Sequence, residues 1–131
     1  MVETPIEQAF QILVPIKVSK TAVREIFWSA INQGSTYWLM EIVGDESSNL
    51  SYSHQLVNGV TLQITALSED DNNTEGDDYH LTIVNFLDGI KQYVEEYGDC
   101  IDNGEVDSCK LDSVDCDIIL QYALFGDQLF A

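Results

Sequence analysis

The chain has 131 residues and a formal charge of −18, with 23 Asp and Glu against 5 Lys and Arg. So few cations exclude nucleic-acid binding by phosphate neutralisation and argue against docking on anionic membranes. A hydrophobic content of 45% with 10% aromatics excludes a disordered acidic tail, so the length encodes one folded domain over residues 1–131.

In chain order, residues 8–18 are rich in β-branched and apolar side chains and read as a strand, and Pro15 places it at a sheet edge or a bulge. Ser19 is a good N-cap for a helix over about 20–33, with Val23, Ile26, Phe27, Ala30 and Ile31 on one buried face and Gly34 closing it. Tyr37–Val43 reads as a second strand. Alternation along it puts one of the Tyr37 and Trp38 rings in the core and leaves the other partly exposed. Tyr52–Val57 and Val60–Leu67 read as a hairpin around Asn58-Gly59, a type I′ signal, with Leu62 and Ile64 on one face and Thr61, Gln63 and Thr65 on the other.

Residues 68–78 hold almost no apolar side chain and read as a solvated, mobile acidic loop near 68–80. Thr82 caps a helix over about 83–97, its inner face formed by Ile83, Phe86, Leu87, Ile90 and Val94, and Gly98 ends it. A second acidic connector with an Asp102-Asn103-Gly104-Glu105 turn leads to Asp112, which caps a third helix through about 125. There Val114, Ile118, Ile119, Tyr122 and Phe125 are apolar, Gly126 is the stop, and Leu129-Phe130 fold back on the core. The order β-α-β-β-β-α-α predicts an α+β domain, an antiparallel sheet of about four strands with three helices.

Chemistry finds little support. Met1–Pro5 shows no secretory signal. Cys100, Cys109 and Cys116 are an odd, widely spaced set that reads as reduced thiols of a cytoplasmic protein rather than a zinc site. Asp71–Asp77 matches the first half of a calcium loop, but Thr82 stands where the bidentate Glu belongs. His54 and His80 are isolated, and no nucleophile–base pair, P-loop or dinucleotide fingerprint is present. The expectation is a protein without enzymatic activity, cofactor or metal.

The charge is unevenly spread. Residues 1–68 hold six acids and three bases, whereas residues 69–131 hold seventeen acids and two bases. At one charge per ~1.7 Å of duplex, the net fifteen of the second half match roughly 25 Å of DNA, comparable with the face of a domain this size. Such self-repulsion costs stability, which makes imitation of phosphate charge a physical hypothesis.

Two stretches carry a resemblance. Gly34-Ser35-Thr36-Tyr37-Trp38 and the closing Asp115–Gly126, with Gln121-Tyr122-Ala123-Leu124-Phe125-Gly126, resemble a family of small phage and prophage proteins with an early GSxYW segment and a terminal QxALFG stretch. Residues of about 45–80 fall outside the match. The resemblance implies a phage or mobile-element origin and a small cytosolic α+β domain. Together with the charge it points to counter-defence of the anti-CRISPR or anti-restriction type, in the host bacterial cytosol.

The expected partner is a host nucleic-acid-binding defence protein, met through its basic surface, with a homodimer as a further option. The candidate contact residues are Asp70, Asp71, Asp77, Asp78, Asp88, Glu95, Glu96, Asp99, Asp102, Glu105, Asp107, Asp112, Asp115 and Asp117, which cannot all share one face. The competing reading is a binding module or sponge for a nucleotide immune signal, held by Lys17, Lys20 and Arg24 at the first helix.

Overall fold

The computed structural model describes residues 9–131. It is an α+β domain built of four α-helices, a three-stranded antiparallel sheet and a separate two-stranded hairpin. Helix α1 (Lys20–Ser29) starts where Ser19 accepts the Ala22 amide, and it buries Ala22, Val23, Ile26 and Phe27. It runs into a π-helical turn, Ala30–Gly34, closed by the Ser35 amide donating to the Ala30 carbonyl. Gly34 is therefore not the left-handed stop expected. Its role is close approach, since a Cβ there would overlap the Ser113 carbonyl.

Strand β1 (Leu39–Val43) pairs with β2 (Leu62–Ala66), and β2 with β3 (Asp77–Leu81). The alternation expected of β2 is present, with Leu62, Ile64 and Ala66 buried. Further readings need correction. Tyr52–Val57 is a helix, α2, not a strand: Ser51 caps the His54 amide, and Asn58 and Gly59 end the helix with only Gly59 at positive φ. The type I′ geometry occurs instead at Asn103 and Gly104, both at positive φ, joining β4 (Ile101–Asp102) to β5 (Glu105–Val106).

The expected strand over 8–18 is absent from residues 9–18. Only Lys17 finds a ladder partner, in a parallel bridge to Glu105, because β5 is two residues long and Pro15 has no amide proton to donate. Gln8 lies outside the described residues. The third strand of the sheet comes from β3, which takes Asp77 and Asp78 out of the acidic loop and pairs them with Ala66 and Thr65.

Helix α3 (Ile83–Glu96) is capped by Thr82, and Gly98 at positive φ follows its end. It buries Phe86, Gly89, Ile90 and Tyr93, while Leu87 stays half exposed. A 3₁₀ turn at Ser108–Lys110 leads to α4 (Ser113–Phe125), which opens with a reciprocal capping box between Asp112 and Asp115 and stops at left-handed Gly126. Helix α4 packs against α3, α1, the π turn and β3. Enclosed in this way, it buries six consecutive residues, Cys116–Gln121, instead of one stripe, and leaves Val114 at the exposed start.

The α3–α4 contact depends on Gly89, where a Cβ would stand 2.7 Å from the Ile119 carbonyl oxygen and 2.9 Å from the Ala123 amide nitrogen. Gly89→Ala is expected to lower stability by about 1–3 kcal/mol through overpacking, despite the better helix propensity of Ala. The urea denaturation midpoint checks this, and an unchanged or higher midpoint would refute the close packing.

Candidate functional site

The Gly34–Trp38 and Asp115–Gly126 stretches meet in space. The π turn delivers Ser35, Tyr37 and Trp38 to one side of α4, where Asp117 is only 4% exposed. The Asp117 Oδ1 accepts from the Ser35 hydroxyl at 2.8 Å and the Trp38 indole N–H at 2.7 Å, and Oδ2 accepts from the Tyr37 hydroxyl at 2.8 Å. Gln121, one turn along α4, donates to both carboxylate oxygens at 3.2 Å. Every lone-pair direction of a buried carboxylate is thus met, as burial of a charge requires.

Gln121 also clasps the C-terminal segment. Its Oε1 accepts the Leu129 and Phe130 amides at 2.9 and 2.8 Å, and its Nε2 donates to the Phe130 carbonyl at 3.0 Å. The Phe130 ring stacks on Trp38 at 5.6 Å, and Phe125 meets the same indole edge-on at 5.4 Å. Tyr37 is half exposed and Trp38 buried, as strand alternation suggested, yet both reach one carboxylate because they precede β1. Asp117, expected on a contact face, is therefore a core residue and drops out of that face.

The remaining acids divide by what they do locally. Asp70 accepts the Asn72 amide, Asp77 the Asn73 side chain and Asp78 the Thr65 hydroxyl. Asp107, Asp112 and Asp115 cap the 3₁₀ turn and α4. Asp71, Asp88, Glu95, Glu96, Asp99, Asp102 and Glu105 are exposed and take part in no side-chain hydrogen bond among the described residues.

Helix α4 separates two acidic groups. Burial, then Asp115 and Asp99, raises the Tyr93 phenol near the start of α4. Near its end, Tyr79 packs on Phe125 at 4.8 Å and is raised by burial and by Asp77 and Glu69. Ten residues at 1.5 Å rise place these ends about 15 Å apart. Between them Tyr122, pushed up to about 12 by burial and its Tyr97 neighbour, also feels Glu96 and Asp127. Glu69 and Asp127 were not among the expected contacts, though Glu69 stands in the same acidic run as Asp70 and Asp71.

On α3, Lys91 lies three residues after Asp88 and four before Glu95, on the same helical face, and interrupts the negative charge there. The exposed acids beyond it are Glu95 and Glu96 at the end of α3, Asp99 in the turn that follows, and Asp102 and Glu105 on the β4–β5 hairpin, where Lys17 bridges to Glu105 and Lys110 acts on the Cys100 thiol beside Asp99.

The cationic end holds a cavity of about 520 Å³ beside Arg24, Trp28, Ser51 and His54. Arg24 Nη1 lies 2.9 Å from His54 Nε2, and Nη2 donates to the Thr21 hydroxyl. The guanidinium can only donate, so His54 Nε2 accepts and the ring proton is on Nδ1, which donates to Ser51 Oγ at 2.8 Å. That polarity is opposite to a serine activated by a histidine base. The triplet braces α2 against α1, and two of the guanidinium's donor positions are spent within the protein, which weakens the case for Arg24 as the nucleotide clamp. No cluster of three or more His, Cys, Asp or Glu able to hold a metal occurs among the described residues. No described helix is long and apolar enough to cross a membrane.

The Asp117 network makes two expectations. Asp117→Asn turns an acceptor into a donor facing donors and should cost about 2–4 kcal/mol in urea denaturation. Burial and then Asp117 push the Tyr37 phenol up to about 12 from its ordinary 10.0. The native state keeps this proton where the unfolded chain has lost it, so the contribution is complete below pH 10 and is lost as the pH rises to about 12. The fall of the denaturation midpoint across that window should be shallower in Tyr37→Phe, and an identical slope would refute the linkage.

No family model, curated protein or solved structure matches the chain.

Proposed function

We propose that this chain is a non-catalytic, phage-encoded counter-defence inhibitor of the host bacterial cytoplasm that acts as a DNA mimic. Its acidic surface occupies the basic channel with which a host nuclease or CRISPR complex grips DNA. The observation that supports the reading is the run of exposed, unengaged carboxylates Glu95, Glu96, Asp99, Asp102 and Glu105 across the end of α3 and the β4–β5 hairpin. Carboxylates that serve the fold are held by their own caps and turns. These five are left to solvent at a cost in self-repulsion that the fold does not need. Helix and hairpin are ordered elements, so their charges are presented at fixed positions, as phosphates are on a duplex, and a basic channel meets them with fast, steered association.

The test adds purified protein to a restriction endonuclease or CRISPR effector complex and its DNA, across a salt titration. Competition with DNA is expected, with affinity falling at least about 10-fold between low and physiological salt as the surface charges are screened. The quadruple change E96Q/D99N/D102N/E105Q should abolish competition while leaving the urea midpoint unchanged or raised. Salt-independent binding, or full competition by the quadruple variant, would overturn the mimic reading. Heat released on titrating nucleotides would favour the sponge.

A further inference from the structure

Residues 9–16 form no helix or strand and, apart from Gln11, are apolar without being buried. Phe10 is 100% exposed, Ile12 83%, Leu13 85%, Val14 69% and Ile16 49%. Leu13, Val14, Ile16 and Val18 form, with Leu87, Ile90 and Val94 of α3, the walls of a groove of about 530 Å³. On the same helix face Val84 is 65% and Leu87 38% exposed. Arm and helix together form a largely apolar surface, crossed on the α3 side by Asp88, Lys91 and Glu95 and anchored where Lys17 bridges to Glu105 through the Gly104 carbonyl and the Val106 amide.

We propose that this surface is the contact by which two copies of the chain form a two-fold homodimer. Area is the first argument. With an aromatic side chain exposing roughly 150–250 Å² and an aliphatic one about half of that, the patch offers on the order of 600 Å² per copy. Two such faces reach about 1,200 Å² in total, where specific stable interfaces begin, and a monomer rarely leaves that much apolar surface in one piece.

Charge is the second argument. Two bodies at −18 each can meet only where local charge is small. Residues 9–18 carry a single charge, Lys17, and the α3 side adds one cation, Lys91, and two anions, Asp88 and Glu95, so the charges of the contact cancel. Residues 9–18 hold no acid, so two arms can meet without adding to the repulsion between the bodies. The arm's backbone, which pairs within the chain only at Lys17 among the described residues, is free to continue as a strand against the partner's arm. A two-fold contact closes on itself and stops at two copies. This proposal is independent of the mimic reading.

Sedimentation velocity on the full chain at about 100 µM tests it, since self-association follows concentration. A dimer is expected whose dissociation constant falls at least about 10-fold from low to high salt, because salt screens the repulsion between the bodies while apolar burial persists. This is opposite in sign to the salt response of a DNA mimic bound to its target, so either idea can fail alone. Ile12→Asn with Leu13→Asn, and separately Leu87→Asp, should give monomers with an unchanged helical spectrum. A monomer at every salt concentration, a dimer that survives both variants, or open-ended assembly would each overturn the proposal.

Discussion

The structure depends on one buried carboxylate. Asp117 gathers donors from Ser35, Tyr37 and Trp38, residues about eighty positions earlier in the chain, and fixes where the π turn and the start of β1 sit on α4. A buried negative charge tolerates no missing partner, so these contacts specify a geometry that apolar packing alone would leave looser. Gln121 extends the same network to the chain's last residues, so the aromatic group of Trp38, Phe125 and Phe130 is assembled around it. The Gly34–Trp38 and Gln121–Gly126 stretches are thus accounted for as architecture. Their residues hold the fold, and the surface that could meet a partner lies elsewhere.

That separation gives the acidic excess its meaning. Asp and Glu used as caps, turn closers or core acceptors have local work, and Asp112, Asp115 and Asp117 are examples within six residues of α4. The exposed acids Glu95, Glu96, Asp99, Asp102 and Glu105 make no side-chain hydrogen bond among the described residues. Nearby, the arm at Phe10–Ile16 is apolar and nearly neutral. One molecule therefore carries two surfaces of opposite character, and salt should weaken contacts made through one and strengthen contacts made through the other.

Much of this fold was legible in the sequence wherever a signal is local. Ser19, Thr82 and Asp112 cap the helices they were expected to cap, and Gly98 and Gly126 take positive φ at helix ends. Readings failed where tertiary context decided. Asn58-Gly59 carries the same dipeptide as Asn103-Gly104, yet one ends a helix and the other turns a hairpin, because Ser51 caps the segment before it. Residues 8–18 have the composition of a strand, but those of them that the structure describes, 9–18, lack a long enough neighbour to pair with. Asp117 was indistinguishable from its acidic neighbours, since nothing local shows that α4 is enclosed on several sides. Its place one turn before Gln121, inside an otherwise apolar run, was the available sign.

The clasp of Gln121 on residues 129 and 130 has a consequence in time. During synthesis Trp38 emerges long before the ring that stacks on it, and its indole N–H bonds to water until Asp117, 79 residues later, replaces it. Until Phe130 has left the ribosome the largest aromatic of the core stays uncovered. The domain therefore has no complete folded subset at its N-terminal side, and it closes late and as a whole through contacts of long sequence separation.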